Sequence, residues 1–290
     1  MTATATSNAP GAGRRPLHWA HVLTVARTDL KQLAQARDYW IPMLILGGIF
    51  FVFVPTVLLL TITQIGDVGA VSQISQALEI LPQKAQAQIR GDSESGRAAY
   101  ALAVYLFAPV AVVVPITIST AVGAATIVGE RERGTGEFLA HSPAGIREIF
   151  YGKLLASLLP GYLTTIVGFG VYSLIVNTIV GPDVGGWFFP TRQWWVLMLW
   201  VVPPFLAFTL ALVLRLSARV QSTAAAQQAS ALVSLPLIMV AYTQATGSLY
   251  GGDQLAWYIG ALAWIFATIA LWRGVRAVTR ARLLGVADER

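Results

Sequence analysis

The chain has 290 residues, of which 56% are hydrophobic and only 12% charged, and its formal net charge is +6. A soluble domain carries about 25% charged residues spread along its length to solvate its surface, so this composition excludes an ordinary soluble globular protein. The absence of cysteine from the sequence excludes disulfides, thiolate metal sites and cysteine nucleophiles.

Residues 1–16 are small, polar and interrupted by Pro and Gly, which predicts a disordered start. Over residues 17–38, Trp19, Val22, Leu23, Ala26, Leu30 and Leu33 recur at helical spacing, while Arg27, Lys31 and Gln35 form a polar edge. This pattern predicts an amphipathic helix lying along the cytoplasmic leaflet, with a soluble linker helix as the alternative. Tyr39 and Trp40 then suit the headgroup zone at the entry to the first span.

Six stretches lack Asp, Glu, Lys and Arg: residues 39–66, 98–129, 154–182, 193–214, 220–252 and 254–272. At about 1.5 Å per residue, roughly 20 residues cross a hydrocarbon layer of roughly 30 Å, so each stretch predicts one transmembrane helix. Barrel strands would instead run about 10 residues with alternating polarity, a pattern these tracts lack. Pro109, Pro115, Pro160 and Pro236 are candidate kink sites. The first run is too long and too far from the N-terminus for a cleavable signal, which predicts that it is retained.

The loop after the first span places Val71, Ile74, Leu78, Leu81 and Ala85 at intervals of three and four, predicting a second amphipathic helix that covers a pathway mouth or rests on lipid. With both ends cytoplasmic, 16 of the 20 basic residues fall inside and Lys84, Arg90, Arg97 and Arg192 fall outside. That is the asymmetry of the positive-inside rule. These basic residues flank spans and form no continuous stripe, so a lipid membrane, and no nucleic acid, is the expected partner. The excess of Arg over Lys and the abundant Ala point to a bacterial cell membrane.

Between the second and third spans, residues 129–153 read GERERGTGEFLAHSPAGIREIFYGK. The segment is densely charged and cytoplasmic, and Ser142 followed by Pro143 is a helix-start signal preceded by a short helix near Glu137 to Ala140. As charge alone, it reads equally well as a solvated cluster that enforces topology.

Here the sequence resembles the permease subunits of type-2 ATP-binding-cassette exporters. The matching residues are Glu130, Glu132, Arg133, Gly134, Thr135, Glu137, Ser142, Pro143, Arg147, Glu148, Ile149, Gly152 and Lys153, with Gly136 and His141 departing from the pattern. The resemblance implies that Glu130, Arg131, Glu132, Arg133, Gly134, Thr135 and Glu137 couple to a separate ATPase subunit, and that a second permease copy or homologue completes a dimer. ATP and Mg would sit on the ATPase. No G-x-x-x-x-G-K-[ST] phosphate loop occurs in this chain, which predicts that it is not itself an enzyme and binds no cofactor.

None of the six tracts holds an ionisable Asp, Glu, Lys, Arg or His. Coupled carriers and intramembrane enzymes usually keep such a group despite its cost of at least about 2.5 kcal/mol, so a secondary transporter and a membrane-integral assembly factor or enzyme are the weaker alternatives. The resemblance places the second and fifth spans beside the central pathway. Thr117, Ser119, Thr120, Gln227, Gln228, Ser230 and Ser234 are therefore candidate lining residues, with helix packing as their other reading. Together these readings predict an all-α polytopic membrane protein. It has an interfacial helix over 17–38, six transmembrane helices within 39–272, a coupling loop at 129–153 and a basic cytoplasmic tail at 273–290. Its expected activity is export of a hydrophobic or amphipathic solute.

Overall fold

The computed structural model describes residues 17–65, 68–79, 83–132, 142–217 and 253–277. Among these residues the only regular secondary structure is helical, with no strand. Helix α1 (Trp19–Gln35) is followed by α2 (Arg37–Gln64), by α3 (Val68–Glu79) and by the single turn α4 (Gln83–Gln86). Next come α5 (Glu94–Ala101) and α6 (Ala108–Glu132), then α7 (Ile146–Ile179), the short α8 (Gly181–Val184), α9 (Arg192–Arg215) and α10 (Asp253–Ala277).

Five of these segments are long and apolar enough to cross a membrane: Arg37–Gln64, Glu94–Thr126, Ile146–Ile179, Arg192–Arg215 and Ala256–Arg276. They fall on five of the six uncharged tracts. The remaining predicted span, 220–252, lies outside the described residues, as do residues 1–16, predicted to be disordered, and most of the basic tail.

The path of the helices follows their prolines. Three of the four π turns among the described residues, Ile49–Phe53, Leu102–Leu106 and Leu197–Val201, end two or three residues before Pro55, Pro109 and Pro203. Proline lacks the N–H of the helical ladder and its ring clashes with the carbonyl four residues back; in each case that carbonyl belongs to the widened turn. Backbone acceptors at membrane depth need protein partners. The second π turn finds two: Tyr172 Oη donates to Ala103 O at 2.8 Å, and Trp194 Nε1 donates to Val104 O at 2.9 Å. Pro115 and Pro160 instead lie inside the continuous helices α6 and α7, and Pro236 lies outside the described residues.

Helix α7 is the central post, packed by α1, α2, α6 and α9. Small residues permit the contacts. A Cβ on Gly161 would overlap Ser119 Oγ and stand 2.7 Å from Pro115 O, and one on Gly168 would overlap the Phe51 ring. Such close backbone approach is how helices associate where lipid removes the hydrophobic drive between them.

At the far end of α7, Asn177 holds the chain that leads into α9. Its Oδ1 accepts from Phe188 N at 2.9 Å and Phe189 N at 3.0 Å, and its Nδ2 donates to Ser173 O at 2.8 Å and Phe189 O at 2.6 Å. Phe169, Tyr172, Phe189 and Trp194 stack around that hold. The second amphipathic helix is α3, and it packs against α5 with Val71 buried in the core cluster.

The charge asymmetry predicts that the α3–α4 end faces outward. Because the sequence contains no cysteine, single cysteines report on this directly. An impermeant thiol reagent is expected to label Gln83→Cys in intact cells and to leave Ala287→Cys unlabelled. The reverse labelling would overturn the orientation.

Candidate functional site

The loop with the exporter resemblance runs from the end of α6 to the start of α7. Glu130, Arg131 and Glu132 form the last turn of α6, immediately beyond the span Glu94–Thr126. Arg133, Gly134, Thr135 and Glu137 lie outside the described residues, together with the short helix expected near Glu137 to Ala140.

Beyond the loop, the start of α7 differs from the sequence expectation. The N-cap is Gly145, not Ser142, and Ser142 Oγ is buried without a hydrogen-bond partner. The reason is Glu148, whose side chain reaches back to accept from Gly145 N at 2.8 Å. A carboxylate at the third helical position satisfies a free amide at the helix entrance and suits the positive end of the helix dipole, leaving the serine hydroxyl no amide to cap.

Glu148 also binds α1. Its Oε1 accepts from His18 N at 2.9 Å and its Oε2 lies 2.8 Å from His21 Nδ1. One carboxylate therefore joins the first turn of α1 to the first turn of α7. Five residues further on, Lys153 Nζ donates to Thr126 O at 2.7 Å and to Asp29 Oδ2 at 3.3 Å. Lys153 is only 1% exposed and Asp29 7% exposed, so this ion pair ties α1, α6 and α7 together out of contact with solvent. Burial raises the Asp29 carboxyl above its ordinary range, opposed by the Lys153 ammonium.

Gly152 makes room for this junction. A Cβ there would stand 2.7 Å from the Val25 side chain and 3.0 Å from Val22 O. The apolar stripe of α1 thus divides. Val22 and Ala26 are buried against the bundle, whereas Trp19 and Leu23 remain exposed beside them.

Sequence reasoning identified Glu148, Gly152 and Lys153 through the exporter resemblance and left Asp29 and His21 unassigned. A signal for Asp29 was present. Val22, Ala26 and Asp29 are spaced four and three apart, so they share one helix face, and an acid on an apolar face calls for a buried cation.

Of the candidate lining residues, Thr117 is exposed on α6 with its hydroxyl donating to Val113 O at 2.9 Å. Thr120 is buried and donates to Ile116 O at 2.7 Å, and Ser119 is buried against Gly161 of α7. Gln227, Gln228, Ser230 and Ser234 lie outside the described residues.

The ABC-2 family transporter protein profile matches residues 23–280, which covers α1 from Leu23 onward, all five described spans and the loop between α6 and α7. The chain belongs to the ABC-2 transporter family. It is thus a multi-pass membrane permease of an ABC-type transporter, and the matched residues include Asp29, Glu148, Gly152 and Lys153 of the junction of α1 with α7. No individually characterised protein shows significant similarity to it.

Proposed function

We propose that this ABC-2 permease exports a hydrophobic or amphipathic solute across a bacterial cell membrane. It would work as a pair with a second copy or a homologue, driven by two separate ATPase subunits that hold ATP and Mg. The observation that carries this reading is the continuity from loop to bundle. Glu130, Arg131 and Glu132 end one spanning helix, while Glu148 and Lys153 open the next and grip α1. A partner docked on Glu130–Glu137 would push on α6, α7 and α1 together. Trp19 and Leu23, exposed on α1, would slide in the headgroup layer as it moves.

Ion coupling has less support. In the five described spans every Asp, Glu, Lys and Arg lies within eight residues of a span end, leaving no charged relay at mid-membrane among the described residues. Vesicles reconstituted with the proposed ATPase partner decide between the two. Transport is expected to require nucleotide, and full-rate accumulation driven by a pH gradient alone would overturn the assignment.

In the same vesicles, Glu137→Lys is expected to insert normally yet to lose ATPase copurification or to uncouple hydrolysis from transport. Breaking a docked charge pair costs about 2–5 kcal/mol, whereas reversal of a solvated charge is nearly silent. Glu289→Lys in the tail serves as the control. Full transport and normal ATPase binding by Glu137→Lys would remove that residue from the coupling contact.

A further inference from the structure

Helix α1 has three faces, and the bundle covers one of them. At about 100° per residue, Val22, Ala26 and Asp29 lie within an arc of about 60°, and all three are buried. Trp19, Leu30 and Leu23 follow on one flank within about 40° of each other, and Trp19 and Leu23 remain 62% and 60% exposed. Arg27 and Lys31 come next round the helix, both exposed, before the uncharged polar face of Thr24, Thr28 and Gln35. Two cations therefore border an open apolar strip.

These cations are unmatched within the chain. The one acid of α1 is Asp29, which points inward to Lys153 at 3.3 Å. Neither Arg27 nor Lys31 takes part in an ion pair or hydrogen bond among the described residues. The next acid along the chain, Asp38, lies beyond the helix break at Ala36. Like charges at i and i+4 repel along a helix, so an anion supplied from outside would relieve them. A second observation marks the depth. Arg276 Cζ sits 3.6 Å from the centre of the exposed Trp272 ring. A Cβ on Gly274, between those two in sequence, would stand 2.8 Å from the ring of Phe150, two residues before the Gly152 that receives α1. Tryptophan and arginine favour the headgroup layer, so α1 and the end of α10 share one level.

We propose that the Arg27–Lys31 edge of α1 binds the headgroups of anionic phospholipids, with Trp19 and Leu23 seated among their acyl chains. A soluble anion would leave the apolar strip in water, and a zwitterionic leaflet would leave the two charges without a counter-charge. Helix α1 is thereby held from both sides: Glu148 and Lys153 grip its inner face, and acidic lipid its outer one. The site needs neither an ATPase nor a direction of transport, so its failure and that of the export reading are distinguishable.

Because the sequence has no cysteine, a bimane label on Ala34→Cys, exposed on the same flank, reports which lipid lies beside α1. The full chain is placed in phosphatidylcholine nanodiscs, and quenching of the label by brominated phosphatidylglycerol is compared with quenching by brominated phosphatidylcholine. The edge is expected to favour phosphatidylglycerol by about tenfold, and by less at high salt. Arg27→Gln/Lys31→Gln should bring the ratio near one, and Arg27→Lys/Lys31→Arg should keep it. Arg27→Thr/Thr28→Arg/Lys31→Gln/Gln35→Lys leaves the composition unchanged but turns both charges onto the uncharged polar face, and it should lose the preference too. All four positions are exposed, and a melting midpoint equal to wild type checks each fold. Should the Gln pair melt early, Arg27→Gln alone gives the same reading at smaller amplitude. Retained preference in a folded Gln variant would overturn the site, and so would retention in the rearranged chain, since net charge alone would then suffice. Loss of preference on adding inorganic phosphate, at an ionic strength where chloride leaves it intact, would overturn it in favour of a soluble anion. A label quenched by neither lipid would overturn it in favour of a protein partner.

Discussion

Lys153→Met is expected to lower the melting midpoint of the purified permease by about 10 °C, since removing one partner of a buried ion pair costs about 3–5 kcal/mol. The side chain has about the right length and apolar stem, so the loss arises from Asp29 being left without its cation and Thr126 O without its donor. A buried carboxyl without a counter-charge takes up a proton and becomes neutral. Its folded-state position is already raised by burial, and loss of the ammonium raises it further. A group raised on folding contributes stability below its unfolded value and loses it as pH climbs through the folded one. The deficit of Lys153→Met relative to wild type should therefore be smaller at pH 5 than at pH 8. Asp29→Asn/Lys153→Met should regain much of the midpoint, because no uncompensated charge remains. Equal melting of Lys153→Met and wild type would show that the pair contributes nothing.

Gly152→Val is expected to abolish ATP-driven transport while leaving the chain in the membrane. Even the first added carbon meets Val25 at 2.7 Å and the backbone oxygen of Val22 at 3.0 Å, and a carbonyl within a helix cannot swing aside. The overlap is relieved only by moving α1 away from α7, which pulls His18 and His21 from Glu148 and Asp29 from Lys153. Gly152→Ala, with less bulk to place, should keep partial transport. Protease sensitivity of the α1–α2 connection near Ala36 reports on detachment independently of activity. If Gly152→Val transports at the wild-type rate with α1 still protected, the close approach has no functional weight.

Much of the architecture was legible because lipid imposes a simple rule. A tract such as 193–214, free of charge, has one stable way to cross, and Arg192–Arg215 takes it. Helical spacing likewise revealed α1 and α3 as amphipathic. What spacing could not supply was the partner of each face. The reading of α1 grouped Trp19 and Leu23 with Val22 and Ala26, and the bundle separates them because only a narrow strip of a helix fits against Gly152. The Asp29–Lys153 pair spans 124 residues of sequence, and a contact at that range leaves no local trace beyond an acid on an apolar face. Ser142–Pro143 misled in the opposite way. It is a sound local start signal, displaced by a carboxylate six residues later that serves the backbone and α1 at once.

The hydrogen bonds on the Leu102–Leu106 turn bear on how the second span can travel. Ala103 and Val104 are held by Tyr172 of α7 and Trp194 of α9, with the Phe107 ring stacked on Tyr172 at 5.2 Å. That end of the span is riveted to two neighbours, whereas Thr126 at the other end is joined to α7 and α1 through the Lys153 side chain. A rod fixed at one end and driven at the other turns about its fixed point. Over the roughly 20 residues from Phe107 to Thr126, about 30 Å of helix, a tilt of roughly 10° would sweep the driven end through about 5 Å while the pinned end barely moves. With work delivered at Glu130–Glu132, as proposed above, the span would act as a lever with its fulcrum beside Tyr172 and Trp194, and the largest displacement would fall at the driven end.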